Sequence, residues 1–193
     1  MSQLKPEVRP SPAAHASETP VGTIRKGHNG ANWIVLSNNK SKEVRRWYEL
    51  KGKHTISHTQ HNGTSMRVVF TGSQLYVFND KPSLVYKVSG FAKVWKTSST
   101  ILVELARNSY VYIGGVKIFA FKTKEPVTAY KSPMGNNYVP YPYAQTATAS
   151  YLMIEERVIE RSGSGDPYKA YYSDADAKSR SHALVTKKIH SEW

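Results

Sequence analysis

From Gly22 onward, apolar and polar residues alternate in short runs, most of them closed by Gly, Asn, Ser or Pro. A period of two sends successive side chains to opposite faces of an extended chain, so each run predicts a half-buried strand. Thr23–Lys26, Trp33–Ser37 and Val44–Leu50 come first, separated by Gly27-His28-Asn29-Gly30 and Ser37-Asn38-Asn39-Lys40. Asn-Gly supplies the positive-φ positions that a tight hairpin needs. His54–His58, Met66–Thr71, Gln74–Phe78, Leu84–Val88, Ala92–Thr97 and Thr100–Leu105 follow, with a second Asn-Gly turn at Asn62-Gly63. Tyr110–Ile113 and Val116–Phe121 flank Gly114-Gly115, a strong two-residue hairpin signal. Strands recurring every eight to twelve residues predict a mostly β, antiparallel body, either sandwich or barrel-like, with extended arms at both ends.

The pattern also places boundaries. Residues 1–20 contain Pro6, Pro10, Pro12 and Pro20 and few large apolar groups, so they are expected to form an extended or disordered arm that orders against a partner. The β body is assigned to residues 21–160. Within it, Lys131–Ala144 is interrupted by Pro133, Pro140 and Pro142 and reads as an aromatic-studded loop, after which Tyr151–Ile154 and Val158–Ile159 resume the strand pattern. Ser162-Gly163-Ser164-Gly165 is a hinge, and residues 161–193 form a C-terminal arm. Asp166-Pro167 is a helix-start signal, and Ser173–Lys188 is weakly helix-compatible, with a thin apolar face.

Composition narrows the chemistry. The chain has 193 residues and no cysteine, which excludes disulfide scaffolds, thiolate nucleophiles and Cys-type metal sites. No run approaches the ~18 apolar residues of a membrane span, and the N-terminal residues lack the apolar core of a secretory signal, so a soluble chain is expected. Unused glycosylation sequons stand at Asn39-Lys40-Ser41 and Asn62-Gly63-Thr64 on the same expectation. The formal charge is +13, with nine bases against two acids between residues 21 and 71 and eight against three between 72 and 125. The excess therefore lies on the folded body, which points to an anionic partner or to a general solubility charge.

Catalytic signatures are missing. His54, His58 and His61 share one short run, but neighbouring Lys51 and Lys53 repel a cation, so a solvated strand edge is the better reading. Glu155 and Glu156 are adjacent and so point to opposite faces of a strand, unlike a paired acid and base. Asp174 and Asp176 fall in the C-terminal arm, away from any pocket. Gly27–Gly30 leads into a strand rather than a helix and so is no phosphate cradle. No enzyme activity, cofactor or metal is expected.

Aromatic and basic residues carry the remaining signal. Tyrosine, with thirteen copies, packs its ring while keeping its hydroxyl wet. Trp33, Trp47, Tyr48, Tyr76, Tyr86 and Trp95 are interleaved with bases. Such a face suits either protein contact or stacking of single-stranded nucleic acid. Alternation places Ile24, Trp33 and Val35 inward, with the bases outward. The expected contact residues are Arg25, Lys26, Lys42, Arg45, Arg46, Lys51, Lys53 and Arg67 in the first third, Lys93 and Lys96 further on, and Tyr138, Tyr141 and Tyr143 in the Pro-rich loop.

Two motif groups carry a resemblance. GTIRKG, NG, NWIV and RRW between Gly22 and Tyr48, and YVYIGGVKIFAF…EPV…SPMGNNYVPYPYA with an aliphatic–Glu strand end between Tyr110 and Glu156, resemble patterns in β-rich proteins of large double-stranded DNA viruses of the phycodnavirus or chlorovirus kind. They cover roughly two-fifths of the chain. The resemblance implies a viral protein and carries no functional residues with it. Joined to the arms, the basic body and the tyrosines, it gives the expectation of a non-enzymatic minor capsid protein of a large icosahedral DNA virus. Such a protein would be located in the virion, with host cytoplasm as its place of assembly. Its partners would be the major capsid protein and other minor capsid proteins. Nucleic acid is a further candidate partner through the basic face. The competing expectation is a virus-encoded nucleic-acid-binding module acting in the infected cell.

Overall fold

The alternating runs fold as strands joined by tight turns. The computed structural model describes residues 8–38, 41–61, 63–81, 83–132, 141–154, 157–163, 181–183 and 187–190. The structure is 59% strand, which decides the class as all-β. Four antiparallel sheets form, each with two open edges, so no sheet closes into a barrel among the described residues. The one helical element among them is a 3₁₀ turn, η1, at Ala16–Glu18. Contacts divide the chain into two compact units: Met1–Ser57 with Arg67–Ser89, and His58–Met66 with Gly90–Trp193.

The first unit contains sheet A, made of β1 (Ile24–Lys26), β2 (Asn32–Asn38) and β3 (Ser41–Leu50). It also contains most of sheet B, in the order β4 (Thr55–His61), β5 (Thr64–Phe70), β6 (Gln74–Phe78), β7 (Leu84–Ser89). Ile34 faces Ile24 on one side and Tyr48 on the other. That face meets Val69, Tyr76 and Phe78 of sheet B, with Val21, Leu36 and Leu50, in one buried cluster. Burial of this apolar surface is the main stabilising term of the unit. Gly30, in the β1–β2 turn, has φ +77°, as the Asn-Gly signal requires.

The second unit is a two-sheet sandwich. Sheet C runs β17 (Lys187–His190), β11 (Lys117–Lys122), β10 (Ser109–Gly114), β9 (Thr100–Glu104), β8 (Lys93–Lys96). Sheet D runs β12 (Ala129–Lys131), β13 (Tyr143–Gln145), β14 (Ala149–Ile154), β15 (Arg157–Ser162), β16 (Ser181–Ala183). Register sets Tyr110 opposite Phe121 and Tyr112 opposite Phe119, with ring centroids 5.7 and 4.7 Å apart. Tyr130, Ala144, Tyr151 and Met153 of sheet D complete that core. Stacked aromatic pairs contribute about 0.5–1.5 kcal/mol each beyond the area they bury.

Several expectations change here. β12, β13, β16 and β17 lie where the alternating pattern is too short to show a strand. β16 pairs with β15, and β17 pairs with β11 at Ile118–Ala120, so residues 181–183 and 187–188 are strand where the sequence favoured helix. An open sheet edge supplies the backbone partners that a weak helical propensity cannot match. The rest of the helix-compatible stretch lies outside the described residues. The N-terminal arm also differs from expectation, because residues 8–20 are ordered against their own sheet A.

Candidate assembly surface

The two faces of sheet A are different. Ile24 and Ile34 point into the core, whereas Arg25, Trp33, Val35, Arg45 and Trp47 occupy the opposite face. Trp33 therefore shares its face with Val35 but not with Ile24, because Trp33 pairs with Arg25 rather than with Ile24. Val35 is nevertheless fully buried, and residues 10–19 bond across this side of the sheet.

The segment is held by its backbone. The Trp47 indole Nε1 donates to the Ala14 carbonyl at 2.8 Å. Arg45 Nη1 donates to the Thr19 and Ser17 carbonyls at 3.2 and 3.4 Å. The Asn29 amide reaches the Pro10 carbonyl at 3.5 Å. Asn29 Oδ1 in turn accepts from the Ala31 amide and from Trp33 Nε1, at 3.1 and 3.2 Å, fixing the turn beside the segment. Within the segment, Thr19 Oγ1 donates to the His15 carbonyl at 2.8 Å, and Pro12 and Thr19 are buried. An Arg donor to a neutral carbonyl retains its charge and is worth more than a neutral bond, about 1.5–3 kcal/mol.

The other expected contact residues scatter. Arg25, Lys26, Arg46, Lys51 and Lys53 are exposed, and the Lys42 side chain and Tyr138 lie outside what is described. Arg67 is half-buried and braces the chain at Gly22. Its Nη2 donates to the Gly22 carbonyl, and its guanidinium carbon lies 5.1 Å from the Phe78 ring centre. Burial lowers the pKa of this guanidinium. Tyr143 is buried at 7% exposure where β13 pairs with β12 and β14. Tyr141 is half-buried.

Lys93 and Lys96 are exposed on β8, an edge strand. Lys93 Nζ lies 3.5 Å from the Trp95 ring centre, and Trp95 packs on the sandwich core, so this indole already has a cation over it. Lysines and arginines lie on the edge strands β1, β3, β7, β8, β12 and β17, but also on the interior strands β5, β11 and β15, while the edge strands β4 and β16 carry none. Charge on an edge blocks uncontrolled strand pairing with other chains. The positive charge is therefore spread over several edges and some interior strands rather than gathered in one patch.

Hollows are lined by described residues in each unit. One of about 430 Å³ is lined by Leu36, Ser37, Tyr48, Leu84, Tyr86 and Lys87 in the first unit. Another, about 570 Å³, lies beside β11 and is lined by Leu105, Tyr110, Phe121 and Lys187. No group of three or more metal-ligating side chains gathers among the described residues. No described helix is long and apolar enough to cross a membrane. The sequence signal for the arm's docking face was present in Arg45, Trp47 and the Pro-rich stretch, but nothing in their spacing joined them. No protein-family model, curated protein or solved structure matches this chain.

Proposed function

We propose that this chain is a non-enzymatic assembly protein, acting as a minor capsid protein that bridges or underlies the capsid subunits of a large icosahedral DNA virus. The observation that carries the assembly reading is the proline-containing segment 8–20 laid across the Arg45–Trp47 face and held through its backbone carbonyls. Segments of this kind link neighbouring subunits, since a sheet face that accepts an extended chain does not depend on which molecule supplies it. The Lys- and Arg-bearing strand edges support the same reading, because they keep the protein from polymerising through its sheets while leaving a basic border for acidic neighbours. The viral part rests on the GTIRKG…RRW and VPYPYA motifs.

The nucleic-acid reading is supported less. Stacking needs open aromatic faces beside free bases. Trp47 and Arg45 are bonded to the arm, Trp33 is bonded to Asn29, and Trp95 has Lys93 over its ring. Mass spectrometry of washed, purified virions tests the proposal: the protein is expected among the virion components, and its absence there overturns the capsid reading. Micromolar binding to DNA or RNA that weakens steeply with salt, together with absence from virions, would favour the alternative.

A further inference from the structure

We infer that the outer face of sheet A is a docking groove for a bent, proline-containing segment with one 3₁₀ turn, and that in the assembled state it takes residues 9–19 from a second copy of this chain. The inference rests on the assembly reading above and names the surface and the partner.

The groove is built for a backbone. Each bond that it makes to the segment ends on a main-chain carbonyl: Pro10, Ala14, Ser17 or Thr19. His15 has φ −66° and ψ 131°, and Thr19 has φ −99° and ψ 132°, so the chain enters and leaves the 3₁₀ turn in extended geometry close to polyproline II. The segment's own internal bonds end on the His15 and Ala16 carbonyls, which leaves the carbonyls of Pro10, Ala14, Ser17 and Thr19 for donors on the sheet. Trp47 and Arg45 supply such donors, and Pro12 is the buried anchor.

Gly27 belongs to the groove through its lack of a side chain. A Cβ there would collide with the Pro10 carbonyl and the Trp33 indole edge. The segment and the sheet thus approach to backbone contact at this point.

The pivot falls at Pro20. Downstream of it, Gly22 is fixed to the body, its amide donating to the Val35 carbonyl at 2.7 Å and its carbonyl accepting from Arg67. Upstream, the bonds that hold the segment to the body among the described residues are the groove contacts. Pro20 is exposed and cannot itself donate a backbone hydrogen bond. Pro20 stays with the body, its φ fixed by the ring and its carbonyl accepting from the Thr23 amide at 3.1 Å. Movement at the Thr19–Pro20 joint therefore releases residues 9–19 as one piece, and the same piece from a second copy would regenerate each groove contact. An exchange that changes only the hinge is a low-cost route to association.

Two full-length variants test this. Pro12→Asp removes the anchor but keeps the groove, and the double variant Arg45→Gln, Trp47→Phe weakens the groove but keeps the segment. Sedimentation and cleavage by a glutamyl endopeptidase after Glu18 are read for each variant alone and for a 1:1 mixture, with circular dichroism confirming that both keep the β fold. If the double variant is misfolded, Gly27→Ala replaces it. The expected result is rapid cleavage in each variant alone, with a species of doubled mass and cleavage of the donor segment about tenfold slower in the mixture. Cleavage in the mixture at the sum of the separate rates, without a larger species, overturns the inference. So does failure of a synthetic 8–20 peptide to bind the Pro12→Asp protein, since the groove would then work only within one chain. The virion measurement is independent: presence in virions without exchange removes only this inference, and exchange with absence from virions removes only the capsid assignment.

Discussion

The outer face of sheet A and the inner face of sheet C carry similar side chains but are closed in different ways. On sheet C the rings of Tyr110, Tyr112, Phe119 and Phe121 meet a second sheet. The Tyr110 hydroxyl accepts the Val127 amide at 2.9 Å, and the Tyr130 hydroxyl lies 2.7 Å from Thr100 Oγ1, which lies 2.7 Å from Thr97 Oγ1. On sheet A a single strap of chain does the covering, through a few bonds to carbonyls. A face closed by a sheet opens only when the unit unfolds, while a face closed by a strap opens locally. Aromatic content alone does not separate a core from a contact surface; what covers the rings does.

The comparison is broken most severely by removing a ring from the sandwich. Tyr151→Ala should cost about 3–5 kcal/mol, measured by urea unfolding, because Tyr151 is 1% exposed and packs against Phe121 at 6.5 Å. A cost below about 1 kcal/mol would mean that the two sheets are not closed on each other as described.

Alkali should act on the same core. Burial raises the Tyr112 and Tyr130 phenols above the ordinary value of 10.0, and Tyr110 and Tyr151 are raised in the same direction, also chiefly by burial. The unfolded chain ionises these groups first, so it binds fewer protons than the native state above pH 10. Their stabilisation is present below that pH and is lost as pH rises, at about 1.4 kcal/mol per pH unit for each group that stays neutral. Absorbance at 295 nm should show these tyrosines ionising together with loss of near-ultraviolet dichroism. Gradual ionisation near pH 10 with the fold intact would contradict their burial.

Gly22→Ala probes the joint between strap and body. Gly22 has φ +81°, and a Cβ there meets Arg67 and Phe78, so a loss of about 2–3 kcal/mol is expected in thermal or chemical unfolding. Trp47→Phe keeps the ring and removes the bond to Ala14. It should lower global stability by about 1 kcal/mol or less while increasing amide exchange in residues 8–20. Equal exchange in both proteins would show that the strap is held by something other than this bond. The smallest effect belongs to Lys124→Met. Lys124 Nζ pairs with buried Glu160 at 3.1 Å, but the lysine side chain is 78% exposed, so less than about 1 kcal/mol should be lost.

Much of the strand content was legible because a period of two is written directly in the residues: Gln74–Phe78 was expected with its observed bounds, and the hairpin signalled at Gly114-Gly115 forms one residue later, with Gly114 paired to Lys117 across a Gly115-Val116 turn. β12, β13, β16 and β17 were not legible, since three or four residues are too few to show a period and their stability comes from pairing with a neighbour. The contact surface was less legible still. Arg67 and Arg45 look alike in sequence, yet one braces Gly22 inside a unit and the other grips the N-terminal strap.

By itself the sequence determined the β class, most turns and a basic folded body, because propensity, alternation and charge are local properties of the residues. Only the tertiary structure decided that the sheets stay open, that Trp33 and Ile24 face opposite ways, and that residues 8–20 cover sheet A. Those outcomes depend on register and on contacts between residues distant in the chain, where a shift of one position would exchange the two faces of every strand.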